Sequence, residues 1–225
     1  MGATALVSGG KDSIFSAALA DQQGFDVDEL LVLEPDDNES WMFHTPNLGL
    51  VRLQAEAWGK RFRSVRIPGP SSEADTDHLE AALRSSSGPI VAGAIASSYQ
   101  WSRLLKIAAR LDRVAYLPLW GKDASTVVRA EIGAGLDIRI VHVAAETLTA
   151  DLLGRRLDTA LLADLERRRD GRVAVNVAGE GGEYESLVLD APFFGRRIEV
   201  DRAETVAYGS AARYVVRSAH LAPKP

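Results

Sequence analysis

With 225 residues, 46% of them apolar, the chain is long enough for one large domain or two small ones around a real core. It contains no cysteine, which excludes disulfides, thiolate metal sites, catalytic thiols and persulfide carriers of sulfur. A formal net charge of −5 argues against a bulk nucleic-acid binder. No apolar run approaches membrane-spanning length, and Met1 leads straight into a short strand-like run without a basic leader. No membrane segment or signal peptide is therefore expected, and the expected address is the cytoplasm.

The first half alternates two periodicities. Strand-type runs "ATALV", "ELLVLE", "RSVRI", "PIVAG" and "VAYLP" are separated by helical patterns at 12–22, 50–60, 73–85 and 98–111. The strands are too continuously apolar to be half-exposed, so the pattern predicts a mostly parallel sheet covered by helices on both faces. Leu50, Leu53, Ala57 and Trp58 form one helical stripe, and Trp101, Leu104, Leu105, Ala108 and Leu111 another. After "YLPLWGKD" the texture changes to a helix, the strand "IRIVHV", a helix at 158–169, and strand-type runs in "RVAVNVA", "SLVLDAPFF", "RRIEV" and "ARYVVRS". Strands so close in sequence predict a smaller mixed or antiparallel unit, with a boundary near residue 120.

The turn "SGGKDS", residues 8–13, joins the first strand to the first helix. Such a junction presents backbone N–H groups and the positive end of a helix to an anion. Gly9 and Gly10 allow close approach to the main chain, Ser8 and Ser13 add hydroxyl donors, and Lys11 adds a mobile positive charge. Asp12 repels phosphate unless Mg²⁺ lies between them. The spacing is not the Walker pattern G-x-x-x-x-G-K-[ST]. It resembles the PP-loop, S-G-G-x-D-S, of the N-type ATP pyrophosphatases, which cleave ATP to AMP and pyrophosphate.

A second stretch, "AGEGGEYESLVLDAPFF", holds Glu180, Glu183 and Glu185 among glycines. This stretch, together with "VAGAIASSYQWSRL" and "LPLWGKD", resembles the characteristic segments of the diphthine–ammonia ligase family, in that family's order and over nearly the whole chain. The resemblance implies an adenine nucleotide alpha hydrolase-like α/β fold, with an ATP-binding domain at 1–120. A smaller α+β domain at 121–225 would carry the Glu-rich loop. It implies ATP with Mg²⁺ on Asp12, ammonium as nitrogen donor, and elongation factor 2 bearing diphthine as protein substrate. No membrane or stable nucleic-acid partner is expected, and a homodimer is an allowed assembly. One departure is Leu105, where the family has glutamate.

On this reading Lys11 and Asp12 serve catalysis at the ATP phosphates. Ammonium cannot attack until a carboxylate takes its proton, with Glu183 the first choice and Glu185 the second. Glu180 would hold substrate or Mg²⁺. His44, Tyr99, Gln100, Arg103 and Tyr184 are candidate substrate contacts, with Tyr99 and Tyr184 as walls for the trimethylammonium of diphthine. The four histidines lack ligand-like spacing, so no metal is assigned to them. Two other classes share the PP-loop: an enzyme modifying a tRNA base, and a nucleotide-binding protein without catalysis.

Overall fold

The computed structural model describes residues 2–35, 47, 49–67, 74–144, 148–169 and 175–225. It divides into two compact units, Met1–Ser8 with Asp12–Trp120, and Gly9–Lys11 with Gly121–Pro225.

The first unit runs β1 (Ala3–Leu6), α1 (Lys11–Gln22), β2 (Val27–Pro35), α2 (Leu50–Trp58) and β3 (Arg61–Ile67). It continues with α3 (Ala74–Arg84), β4 (Ile90–Val91), α4 (Ser98–Arg110) and β5 (Ala115–Tyr116). The strands form one sheet in the order β3-β2-β1-β4-β5, parallel throughout. The apolar runs form these strands because both faces are covered, and Ala3, Ala5, Leu30, Leu31, Ile90 and Val91 are fully buried. Chain progression reverses between β1 and β4, so right-handed crossovers put α1 and α2 on one face and α3 and α4 on the other. Leu83 of α3 and Leu104, Ile107 and Ala108 of α4 pack with Leu31 and Ile90 in one core cluster. Helix ends follow local chemistry. Gly59, left-handed at φ 72°, stops α2, and the Ser97 hydroxyl accepts from the Gln100 N–H at the start of α4.

The second unit holds α5 (Ala124–Gly133), β6 (Asp137–Val143), α6 (Thr159–Arg169), β7 (Tyr184–Asp190), β8 (Arg197–Tyr208) and β9 (Ala211–Ala222). Its strands form an antiparallel sheet, β7-β6-β9-β8. Ile138, Ile140, Val143 and Val188 are buried and share one face of it. The strand expected in "RVAVNVA" is not found at Val175–Ala178, where Val177 and Ala178 form a turn, and residues 170–174 lie outside the described residues. The reason is local. Asn176 accepts the Ala178 N–H on its side chain and the Gly179 N–H on its carbonyl, and Gly179 takes φ 78°.

Candidate active site

The PP-loop follows β1, at the point where the strand order reverses between β1 and β4. Open α/β sheets bind ligands at that position, beyond the carboxyl ends of their strands. In the first unit, Ser8 donates its backbone N–H to Ser13 Oγ at 3.2 Å, and the two hydroxyls lie 3.4 Å apart. Asp12 stands in the first turn of α1. Gly93, after β4, passes so close to this turn that a Cβ there would lie 2.7 Å from the carbonyl carbon of Asp12 and 2.8 Å from the Ser13 nitrogen.

Residues Gly9–Lys11 make their contacts within the second unit. The Gly9 carbonyl accepts from the Val188 N–H at 3.0 Å, and the Lys11 N–H donates to Ser186 Oγ at 3.2 Å. The Lys11 side chain is only 1% exposed. Its Nζ lies 3.6 Å from Oε2 of Glu131, which is 0% exposed on α5, and 6.0 Å from the centre of the Tyr184 ring. The expectation of a mobile cation at the loop surface is thus corrected. The ammonium is held in a buried ion pair because a carboxylate reaches it where water does not.

The Glu-rich loop folds back on itself. Glu183 Oε1 accepts from the Asn176 N–H at 3.0 Å, and a Cβ on Gly181 would come within 2.6 Å of that oxygen. The other oxygen, Oε2, is shielded from solvent and has no hydrogen-bond partner in the protein. Glu180 is exposed. Tyr184, expected as a cage wall, is instead 3% exposed, with its hydroxyl donating to the Val177 carbonyl at 2.7 Å. Its ring fills the inside of the loop and offers no open face to a substrate cation.

Strand alternation sends Glu185 to the opposite face of β7 from Tyr184 and Ser186. There it faces His142 of β6, with Oε1 3.8 Å from Nδ1, and His142 in turn faces Arg213 of β9. A register shift between Ile140 and His142 aims the imidazole into this row. Tyr208 of β8 closes it, its ring parallel to the imidazole and 4.9 Å from the Arg213 guanidinium carbon. Burial pushes the Glu185 carboxyl up to about 7, against the pull of Arg213. Burial, reinforced by Arg213, pushes His142 down to about 4. No sequence signal marked His142, Arg213, Tyr208 or Glu131, because strand register and side-chain depth set their neighbours.

In the first unit, Tyr99 is 50% exposed at the start of α4, with the Arg103 guanidinium 3.8 Å over its ring, and Gln100 beside it is exposed. Trp101 and Trp120 stack on each other at 5.4 Å. Leu105 is half-buried on the same helix. His44 lies outside the described residues. Among the described residues, no group of three or more His, Asp or Glu side chains could hold a metal ion, and no helix is long and apolar enough to cross a membrane.

The family model for the diphthamide synthase N-terminal domain matches residues 1–113, and the one for the C-terminal domain matches residues 123–221. The chain belongs to the diphthamide synthase family. Several proteins named diphthine–ammonia ligase are similar to it over most of their length. The one from Danio rerio is 32% identical over 92% of this chain and 89% of its own, and that from Rattus norvegicus 31% over 94% and 87%. The one from Homo sapiens is 30% identical, also over 94% and 87%. A solved chain titled a predicted subunit of tRNA methyltransferase, from Methanocaldococcus jannaschii, covers 75% of this chain at 16% identity and a TM-score of 0.44. That likeness is too slight to bear on function. Family membership gives the PP-loop and the Glu-rich loop a shared context that each lacks as an isolated motif.

The two displaced pKa values have opposite consequences for stability. For Glu185, raised from 4.5 to about 7, the contribution is fully present below pH 4.5 and is lost as pH rises to 7. His142, lowered from 6.5 to about 4, contributes fully above pH 6.5, and that contribution is lost as pH falls to 4. The two slopes offset each other in the intact protein. Thermal melts from pH 4 to 8 should therefore show stability rising with pH in Glu185→Gln and falling with pH in His142→Gln. Parallel curves for both variants would contradict the burial of this pair.

Proposed function

We propose that this protein is a diphthine–ammonia ligase, using ATP and ammonium to convert the diphthine of elongation factor 2 to diphthamide, with AMP and pyrophosphate as the other products. The observation that carries the reading is the collinear similarity to diphthine–ammonia ligases across nearly the whole of both chains. The placement of the PP-loop at the reversal of the sheet supports it. The working compartment would be the cytoplasm, where elongation factor 2 acts.

In this mechanism the diphthine carboxylate attacks the α-phosphorus of ATP, forming an acyl-adenylate and releasing pyrophosphate. Ammonia then attacks the acyl carbon and AMP leaves. The turn formed by Ser8, Gly9, Gly10 and Ser13 holds the phosphates through main-chain N–H groups and hydroxyls, complementing the charge that grows on pyrophosphate. Lys11 contributes a buried positive charge, paired with Glu131. Asp12, in the first turn of α1, would hold Mg²⁺ arriving with the phosphates. The ion would neutralise phosphate charge there. Tyr99, its ring half exposed, is the remaining described candidate for the trimethylammonium, with Gln100 and Arg103 beside it. Ammonium gives up its proton to a carboxylate of the Glu-rich segment, Glu183 or Glu185.

The test is AMP release from ATP in the presence of ammonium and diphthine-bearing elongation factor 2. Release should depend on both. AMP formation that ignores the factor and responds to tRNA would favour a base-modifying enzyme, and no AMP at all would favour a nucleotide-binding protein without catalysis.

A further inference from the structure

Three polar atoms of one cross-strand row, Glu185 Oε2, His142 Nδ1 and Arg213 Nε, are shielded from solvent and have no hydrogen-bond partner in the protein. They come from three neighbouring strands, β7, β6 and β9, and His142 is only 9% exposed. Buried polar atoms are nearly always satisfied, so three in one cluster point to a small polar guest. The two acceptors decide its character. Neutral imidazole offers the lone pair on Nδ1 if its proton is on Nε2, and the carboxylate offers Oε2. With Nδ1 and Oε1 3.8 Å apart, one nitrogen atom can hydrogen-bond both groups at once. The Tyr208 ring lies parallel to the imidazole. Arg213 is turned onto that ring, which leaves the acceptors to the guest.

We propose that Glu185 and His142 form the site where ammonium is bound and deprotonated, with Arg213 and Tyr208 as positioning residues. The proposal rests on the ligase reading above and selects Glu185 over Glu183, one of whose oxygens is committed to closing its own loop. One N–H bond of ammonium breaks and one O–H bond forms on Glu185, leaving neutral ammonia and a neutral carboxylic acid. A carboxyl held near 7 is suited to this exchange at neutral pH. The charged and titratable groups facing Glu185 are His142 on β6, Arg213 on β9 and Tyr208 on β8. Ser186, the next residue on β7, turns to the other face, where its hydroxyl accepts the Lys11 N–H at 3.2 Å.

The test compares ammonium with hydroxylamine, a nucleophile that is already neutral at pH 7 and needs no base to free its lone pair. Glu185→Gln should lower amide formation from ammonium on the order of 10²-fold or more. It should retain ATP–pyrophosphate exchange with diphthine-bearing factor and hydroxamate formation within a few-fold of wild type. Arg213→Met removes a charge that holds the Glu185 pKa down, so the acidic limb of kcat/KM for ammonium should move up by about one pH unit. Equal losses with both nucleophiles, or full activity of Glu185→Gln with ammonium, would overturn the proposal. Absence of factor-dependent AMP and hydroxamate in the wild type would instead overturn the parent reading.

Discussion

Lys11→Ala should lower folding stability by about 3–5 kcal/mol, the usual cost of breaking a buried ion pair by removing one partner. The expectation follows from depth. Lys11 and Glu131 are 1% and 0% exposed, and Nζ and Oε2 stand 3.6 Å apart. Removing the ammonium takes a counter-charge away from a carboxylate that is fully buried. Removing both charges with matched shapes is a different perturbation, because such replacements are often neutral. The double variant Lys11→Met with Glu131→Gln should therefore recover most of the lost stability in denaturant titrations. Its turnover then measures what the cation does for the reaction. If Lys11 acts mainly through its ion pair with Glu131, the folded double variant should keep turnover at saturating ATP within about tenfold of wild type. A folded double variant slowed on the order of 10²–10³-fold would show that the ammonium acts directly on the phosphates, as a single electrostatic donor does.

The parallel sheet was legible because its cause is local. Runs such as "ELLVLE" and "PIVAG" alternate with helical stripes, and only a sheet covered on both faces accepts strands of that kind. The PP-loop was legible for a related reason, since its chemistry is carried by adjacent residues at a strand-to-helix junction. Lys11 was misread because sequence reports a residue's charge and not its depth. Tyr184 was misread in the same way, as its hydroxyl finds the Val177 carbonyl inside the loop. The "RVAVNVA" run has strand composition, yet Asn176 and Gly179 turn the chain at its end. The row of Glu185, His142 and Arg213 could not be read at all. Its members lie 43 and 71 residues from His142 along the chain, and a one-residue bulge in β6 between Ile140 and His142 decides which of them meet.

Gly93→Ala should cost ATP affinity as well as stability, because its Cβ has nowhere to go. A methyl group there would sit 2.7 Å from the Asp12 carbonyl carbon, 2.8 Å from its oxygen and 2.8 Å from the Ser13 nitrogen. All three are main-chain atoms, so no side-chain rotation can relieve the contact. Either α1 shifts away from the segment after β4, or that segment shifts away from α1. Overpacking of this kind typically costs about 1–3 kcal/mol. The first turn of α1 carries Asp12 and Ser13, and Ser13 Oγ receives the Ser8 N–H, so its displacement also distorts the cradle. Calorimetric titration with ATP should show affinity reduced at least tenfold, about 1.4 kcal/mol, alongside a lower melting temperature. Gly133→Ala is the matched control. It adds the same methyl group in α5, where a Cβ meets nothing within 4 Å, and alanine is the better helix former. That variant should bind ATP as the wild type does and melt at the same temperature or slightly above. Wild-type ATP affinity in Gly93→Ala would mean that the close approach of Gly93 to α1 plays no part in shaping the nucleotide cradle.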